Sequence, residues 1–389
     1  MRLPRHRIGQ EEALDWLARA HAASQGASEE LPPAEVDILA TRFRKILDRC
    51  ACSPLKIGTR GSVTTEVGKR DFDALELYDV ARHPHGRGAG VRSQLYAEAV
   101  NAYFETEYAE VADAPNDIIH VTCTGYVSPN GAQRLVASRG WGATTRVTNA
   151  YHMGCYAAFP AVRMAAGLAA TRADLATSRV ESLPTAAPRV DIVHTELCSL
   201  HLDPSSHSIE QLVVQSLFAD GFIRYSLRER TSARGDDARG PILRVFAMDE
   251  RVLPDSADSM SWIASDWGMQ MTLARDVPAR IAGSLRGFVL DLYRTAGMDA
   301  ATELGRTVFA VHPGGPKIID GVREVLELSE AQVATSRQVL FDHGNMSSAT
   351  LPHIWMRLVQ DEDVRPGTTI LSLAFGPGLT VCGGVFRKE

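Results

Sequence analysis

Apolar runs of strand length alternate with helical stretches along almost the whole chain, and this alternation constrains the fold more than any other feature. Asp117–Thr124 (DIIHVTCT) and Val190–Leu200 (VDIVHTELCSL) read as short buried strands, and Thr145–Ala150 as a third. Apolar residues at helical spacing mark Gln10–Gln25, Pro33–Cys50, Val91–Tyr108 and Ser208–Phe218, and an Ala-rich helix runs on from Cys155 to about Ala170. Ala233–Pro241 (ARGDDARGP) is the best internal boundary, being rich in Gly, Asp and Arg and without period. Beyond it the alternation resumes. Leu243–Ala247, Gly268–Leu273, Val308–His312, Thr369–Ala374 and Leu379–Phe386 look extended, while Pro278–Gly297 and Ser329–Phe341 look helical, with Ser329 suited to an N-cap. Layered α/β architecture follows. At 389 residues the length alone predicts two or three domain-sized units.

Composition narrows the function classes. A formal net charge of −6 provides no global basic field for nucleic acid. The most apolar helical run, Cys155–Ala170, contains Arg163 and is too short to span a bilayer, so no membrane role is expected. Cys50, Cys52, Cys123, Cys155, Cys198 and Cys382 form no CxxC pair and no zinc spacing. Free thiols and a polar, Arg-rich start predict a reducing, cytoplasmic setting, with no metal and no cofactor.

Four motifs carry chemistry. Cys155 follows a strand and a Gly154 turn and opens a helix, where free N–H groups and the dipole favour thiolate. A packed core cysteine is the competing reading. His312 ends a strand and is followed by Pro313-Gly314-Gly315-Pro316, a turn that lets a substrate approach closely. Asn345, in Gly344-Asn345-Met346-Ser347-Ser348, is either a helix N-cap or an amide donor to an oxyanion. Phe375-Gly376-Pro377-Gly378-Leu379 is a tight turn between apolar strands and lacks the spacing of a phosphate cradle.

Taken in order, GCYAAFPA, HPGGPKIIDGV, GNMSSA and FGPGLTV resemble the type III polyketide synthases (chalcone synthase-like enzymes), more the bacterial than the plant members. Glu196-Leu-Cys198-Ser-Leu-His201, Ser216–Gly221 and Leu253-Pro-Asp-Ser add to the resemblance, which spans about Gln10 to Phe386. It implies a thiolase-type α-β-α-β-α fold of two pseudo-equivalent halves, divided here as residues 1–232 and 233–389, and a homodimer. It also implies an acyltransferase with Cys155 as nucleophile and His312 and Asn345 completing a triad. Phe218 and Met271 match the gatekeeper positions at the cavity mouth, and Cys198 and His201 match pocket-lining positions. Ala374 and Phe375 fall in the Gly-Phe-Gly-Pro-Gly floor, where the first glycine is replaced. The coenzyme A motif is poorly kept; Arg44, Lys45, Lys56 and Arg60 are the candidate phosphate contacts.

The implied reaction is acyl transfer to Cys155 and a Claisen condensation giving a pyrone or resorcinol-type product. An imidazolium beside Cys155 is expected to hold the thiolate. The eroded coenzyme A motif suggests an acyl carrier protein as donor. It favours an interlinking ketosynthase that joins two carrier-bound β-ketoacyl chains as the alternative, with a non-catalytic thiolase-fold partner as another. Glu196 and Asp220 read as buried structural carboxylates. His120, His152 and His194 read as satisfied core residues, and His83 and His85 as surface loop. Trp262 and Trp267 are expected to pack around the pocket.

Overall fold

The computed structural model describes residues 3–178, 188–229 and 240–389. The proposed division at 232/233 lies outside the described residues, as does nearly all of the loop around it.

The first half begins with strand β1 (His6–Gly9), helices α1 (Gln10–Glu29) and α2 (Pro33–Cys50), and strand β2 (Thr59–Ser62). It continues through α3 (Ala89–Glu107), β3 (Asp117–Thr122), α4 (Gly131–Ser138), β4 (Arg146–Tyr151), α5 (Ala158–Ser178), β5 (Arg189–Leu197), α6 (Ile209–Leu217) and β6 (Asp220–Arg228). The second half runs β7 (Leu243–Val252), a β8–β9 hairpin (Met260–Ala264, Met269–Leu273), α7 (Val277–Thr295), α8 (Ala300–Glu303) and β10 (Val308–Val311). It ends with α9 (Pro316–Leu326), α10 (Glu330–His343), α11 (Thr350–Gln360), β11 (Thr369–Gly376) and β12 (Thr380–Lys388).

Two four-stranded sheets carry the fold, in orders β4-β3-β5-β6 and β10-β11-β12-β7. β3 is parallel to β5, which is antiparallel to β6; β10 is parallel to β11, which is antiparallel to β12. The two sheets thus share a three-strand topology, β3-β5-β6 matching β10-β11-β12, with β4 and β7 added at opposite edges. The strands alternate between two buried faces, which is why their sequences read as continuous apolar runs. In β3, Ile118 joins a core with α1, α3 and α4, whereas Ile119 and Val121 join a central core with α5 and α11. In β11, Ile370 and Ala374 face that central core, and Leu371, Leu373 and Phe375 face an outer core with α7 and α9. The layers are therefore helix, sheet, central helices, sheet, helix: the thiolase-type arrangement of two equivalent halves.

Local signals explain most boundaries. Ser329 and Gln332 form a capping box at the start of α10, as do Asn130 and Gln133 at α4. Pro33 opens α2 at N1, where its missing N–H costs nothing. Pro316 similarly sits in the first turn of α9. Among the described residues no helix is long and apolar enough to cross a membrane.

Candidate active site

The shared topology places the key residues at matching corners. Cys123 follows β3 and His312 follows the equivalent strand β10; Cys155 precedes α5, and Asn345 precedes α11. Ser347, two residues after Asn345, links this second pair, its Oγ lying 3.7 Å from Cys155 Sγ.

Cys155 is 9% exposed, and its Sγ lies 3.7 Å from Ser347 Oγ. Gly154 has φ 77°, and a Cβ there would meet Pro377 Cδ at 2.7 Å. Only glycine combines that left-handed turn with so close an approach. The Gly376-Pro377-Gly378 hairpin is thereby pressed against the cysteine corner, and Gly376 leaves room for the Tyr156 ring.

Asn345 is held on both sides by its backbone. Its N–H donates to Leu217 O at 3.0 Å and its carbonyl accepts from Ala219 N at 2.8 Å. Its Oδ1 accepts from Ser347 N at 2.9 Å, which turns the amide Nδ2 away from that bond; Nδ2 reaches only Gly314 O, at a marginal 3.5 Å. His312 N donates to Leu373 O at 2.8 Å, fixing the residue to β11. The His312 side chain is 1% exposed, and neither Nδ1 nor Nε2 has a partner among the described residues. Buried ring nitrogens are normally hydrogen-bonded. His312 keeps two unpaired ones, and Asn345 Nδ2, held only by the Gly314 carbonyl two residues further on, is a second loosely engaged polar group.

The electrostatics correct the expected ion pair. Burial pushes the Cys155 thiol up to about 12 and the His312 imidazole down to about 3. Desolvation penalises the charged form of each, which works against the expected ion pair.

Several residues enter that the motifs did not single out. Ser347, at φ 49°, sits 3.2 Å from Cys123 Sγ as well as beside Cys155. Trp262 donates from Nε1 to Cys123 O at 2.6 Å, and Met269 N donates to His201 Nδ1 at 3.1 Å. These bonds tether the β8–β9 hairpin over the end of β3. Of these, Trp262 and His201 carry the signal already noted for the pocket, whereas Cys123, the residue matching His312 by topology, needs the sheet order to be seen.

Residues 244–388 match the family model for the C-terminal domain of chalcone and stilbene synthases. Type III polyketide synthase C of Arabidopsis thaliana is 29% identical over 72% of this chain and 70% of its own length. The 1,3,6,8-tetrahydroxynaphthalene synthase of Streptomyces griseus is 29% identical over 79% and 77%. The chain is thus similar to type III polyketide synthases over most of its length. The solved 1,3,6,8-tetrahydroxynaphthalene synthase of Streptomyces coelicolor superposes with a TM-score of 0.73 at 25% identity, covering 99% of this chain and 97% of that one. A synthase from the brown alga Ectocarpus siliculosus shares the fold, with a TM-score of 0.78, 20% identity and coverage of 100% and 96%.

In keeping with this similarity, the protein is an acyl-transferring condensing enzyme. Neither a joining ketosynthase nor a non-catalytic partner is favoured by these relatives. The remaining expected positions sort by geometry. Phe218 is half-buried and packs on the outer core that also holds Met271, which is 8% exposed. Cys198 is buried near Cys155, and burial with the neighbouring Glu196 charge raises its thiol well above the usual range. His201 donates from Nε2 to Thr124 O at 2.7 Å, so both of its ring nitrogens serve the backbone rather than a substrate. Ala374 and Phe375 alternate to opposite faces of β11, so they cannot form one floor together.

The phosphate contacts need one clear correction. Arg60 is 5% exposed and donates to Gln215 O at 2.7 Å and Phe218 O at 3.0 Å, so it braces the Phe218 corner from inside. Burial lowers its guanidinium to about 10. Arg44 is engaged by Glu11 and by Asp48 at 3.0 Å, while Lys45 and Lys56 are exposed. Lys56 edges a surface groove of about 440 Å³ with Leu55, Pro316, Ile319 and Phe341.

Two aromatic and histidine expectations also change, while His85 is in an exposed loop as expected. His152 is exposed in a turn, hydrogen-bonded to Tyr126 OH, and is not a core residue. Trp267 stacks on His85, with ring centroids 5.6 Å apart, away from Cys155's corner. His85 pairs with Asp203 at 3.0 Å. Glu196 and Asp220 are indeed buried, and Asp220 takes Ser199 N and Val63 N, both at 2.6 Å. His120 and His194 are satisfied core residues.

Proposed function

We propose that Cys155 carries the growing acyl chain and that His312 and Asn345 drive the decarboxylative Claisen step. The observation that supports this most is the pair of unpartnered, buried His312 nitrogens, two residues before the Gly314 carbonyl that Asn345 Nδ2 reaches. Neutral His312 accepts the Cys155 proton as the thiol attacks an acyl thioester, and the acyl group moves to sulfur. A malonyl-type thioester then loses CO₂, and negative charge develops on its thioester oxygen. His312 and Asn345 Nδ2 donate to that oxygen, an interaction worth on the order of 3 kcal/mol per donor. The enolate carbon attacks the Cys155 thioester, and the thiolate leaves. Cys155→Ala should abolish the acyl mass shift on incubation with a donor thioester; a variant that still loads and condenses would sink the assignment.

Finer points belong to the same reading. Phe218, Met271 and Cys198 shape the chain-length cavity, and the two halves divide near residue 232. The product is an aromatic or pyrone ring, in keeping with relatives named for tetrahydroxynaphthalene and bisdemethoxycurcumin synthesis. Lys45 and Lys56 attract the phosphates of coenzyme A or of a phosphopantetheinyl carrier protein in the cytoplasm. β4 is an edge of its sheet and leads directly to Cys155, which suits pairing in a homodimer. Light scattering on the purified chain tests the dimer; a monomer at micromolar concentration would refute it.

A further inference from the structure

Behind the wall of the site, Glu196 is fully buried, and the reaction above makes no use of it. Its Oε2 accepts from Cys123 N and from Thr124 Oγ1, both at 3.1 Å, and lies 3.4 Å from Cys123 Sγ. Its Oε1 accepts from Ser348 Oγ. Ser348 Oγ is 2.9 Å from His194 Nδ1, and His194 Nε2 is 3.1 Å from Tyr225 OH. His194 is buried, whereas Tyr225 is partly exposed on β6. Toward the site, Cys123 Sγ is 3.2 Å from Ser347 Oγ, which is 3.7 Å from Cys155 Sγ. A continuous row of polar contacts thus runs from the outer strand of the first sheet to the nucleophile.

Each group along this row can both give and take a proton. With Glu196 ionised, Tyr225 O–H donates to His194 Nε2, His194 Nδ1–H donates to Ser348, and Ser348 donates to Glu196. With Glu196 protonated, every bond reverses. A carboxylate needing only structural satisfaction would be served by Cys123 N, Thr124 and Ser348; the hydroxyl of Tyr225 two steps further out adds nothing to it.

We propose that Glu196 is a proton store for the condensing site and that Ser348, His194 and Tyr225 form the line that refills it from the β6 face. The proposal rests on the Claisen reading above. Each round of extension forms one C–C bond and breaks the bond to CO₂ and the acyl bond to Cys155; return of the longer chain to Cys155 forms a new C–S bond, breaks the donor's C–S bond, and leaves a donor thiolate that must gain one proton. That proton leaves Glu196 by way of Cys123 and Ser347. Ser348 then reprotonates Glu196, His194 Nδ1–H restores Ser348, and Tyr225 O–H restores His194 at Nε2. Tyr225 finally takes a proton from solvent, so the cycle closes with one proton consumed. Burial holds the Glu196 carboxyl above its usual range, in keeping with a group that carries a proton between turnovers.

The test is Tyr225→Phe in the full-length enzyme, which removes one hydroxyl and keeps the ring. With a starter thioester and malonyl thioester, kcat should fall about tenfold with KM unchanged. The solvent deuterium isotope effect on kcat should rise, while Cys155 still acylates by mass. His194→Gln should behave alike, with a thermal midpoint near that of the parent. Parent-like kcat and isotope effect in both variants would overturn the line and leave the Claisen reading intact. Loss of Cys155 acylation in either folded variant would also overturn it, by making these residues supports of the nucleophile. A parent enzyme that never acylates Cys155 would overturn the Claisen reading and the proposal together.

Discussion

The two sheets share a three-strand topology but treat the end of their matching strand differently. β3 ends in Cys123, whose backbone and sulfur are fully engaged by Glu196, Ser347 and Trp262. β10 is followed by His312, whose ring meets no hydrogen-bonding partner among the described residues. The same corner of one fold is thus a satisfied wall in one half and an unsatisfied donor–acceptor pair in the other. Repeating a fold supplies two equivalent corners; chemistry needs them to differ, since one must be stable with the site empty and the other must gain its bonds from the reacting group.

The largest effect that would sharpen this contrast is His312→Ala. It should lower kcat by about two to three orders of magnitude, measured as CO₂ release from a malonyl thioester. Cys123→Ser should cost far less, because a hydroxyl retains the bonds to Glu196 and Ser347. Equal losses at the two corners would break the comparison. Next in size, Gly154→Ala places a Cβ 2.7 Å from Pro377 at φ 77°. A loss of about 1–3 kcal/mol of stability is expected in urea unfolding, with a matching loss of Cys155 acylation. An unchanged midpoint would show that the corner is not tightly fixed.

Acid sensitivity comes next. Burial drives His21, His120, His194, His312 and His353 down to about 3. A depressed value stabilises the fold above the unfolded imidazole's 6.5 and loses that contribution as pH falls toward 3. Asp220, raised by burial to about 6, acts in the opposite sense: its contribution is present at low pH and lost as pH rises through about 6. His201 is lowered to about 3 as well, and burial also raises Glu196; six imidazoles against two such carboxyls predict a falling thermal midpoint between pH 7 and pH 5. A flat or rising midpoint would refute the neutral-histidine core. The smallest effect is expected at Trp262→Phe, which removes the tether to Cys123 O and should raise KM a few-fold with little change in kcat.

The strands and long helices were legible because their apolar patterning is local. α2 runs from Pro33 to Cys50, the bounds its spacing predicts, and β10 begins at the expected Val308. β6 escaped notice because Arg224, Ser226 and Arg228 interrupt its pattern; it owes its place to pairing with β5. Cys155, His312 and Asn345 were found through motifs that sit at turns. The state of the pair was not, because burial at a joint between distant segments decides it, and no local spacing encodes that depth. Arg60 was misjudged for the same reason: a cation in a loop looks solvated until the carbonyls of Gln215 and Phe218 are seen to close on it.

The alternation of β11 has a further consequence for how such an enzyme can diversify. Its even positions, Ile370 and Ala374, belong to the seam between the halves, while Leu373 and Phe375 face the side that carries Phe218 and Met271. Inheritance can therefore act on two registers of one strand independently. Drift at the odd positions resizes the space offered to a growing chain, while the even positions keep the halves joined, so a lineage can change its product without renegotiating its fold.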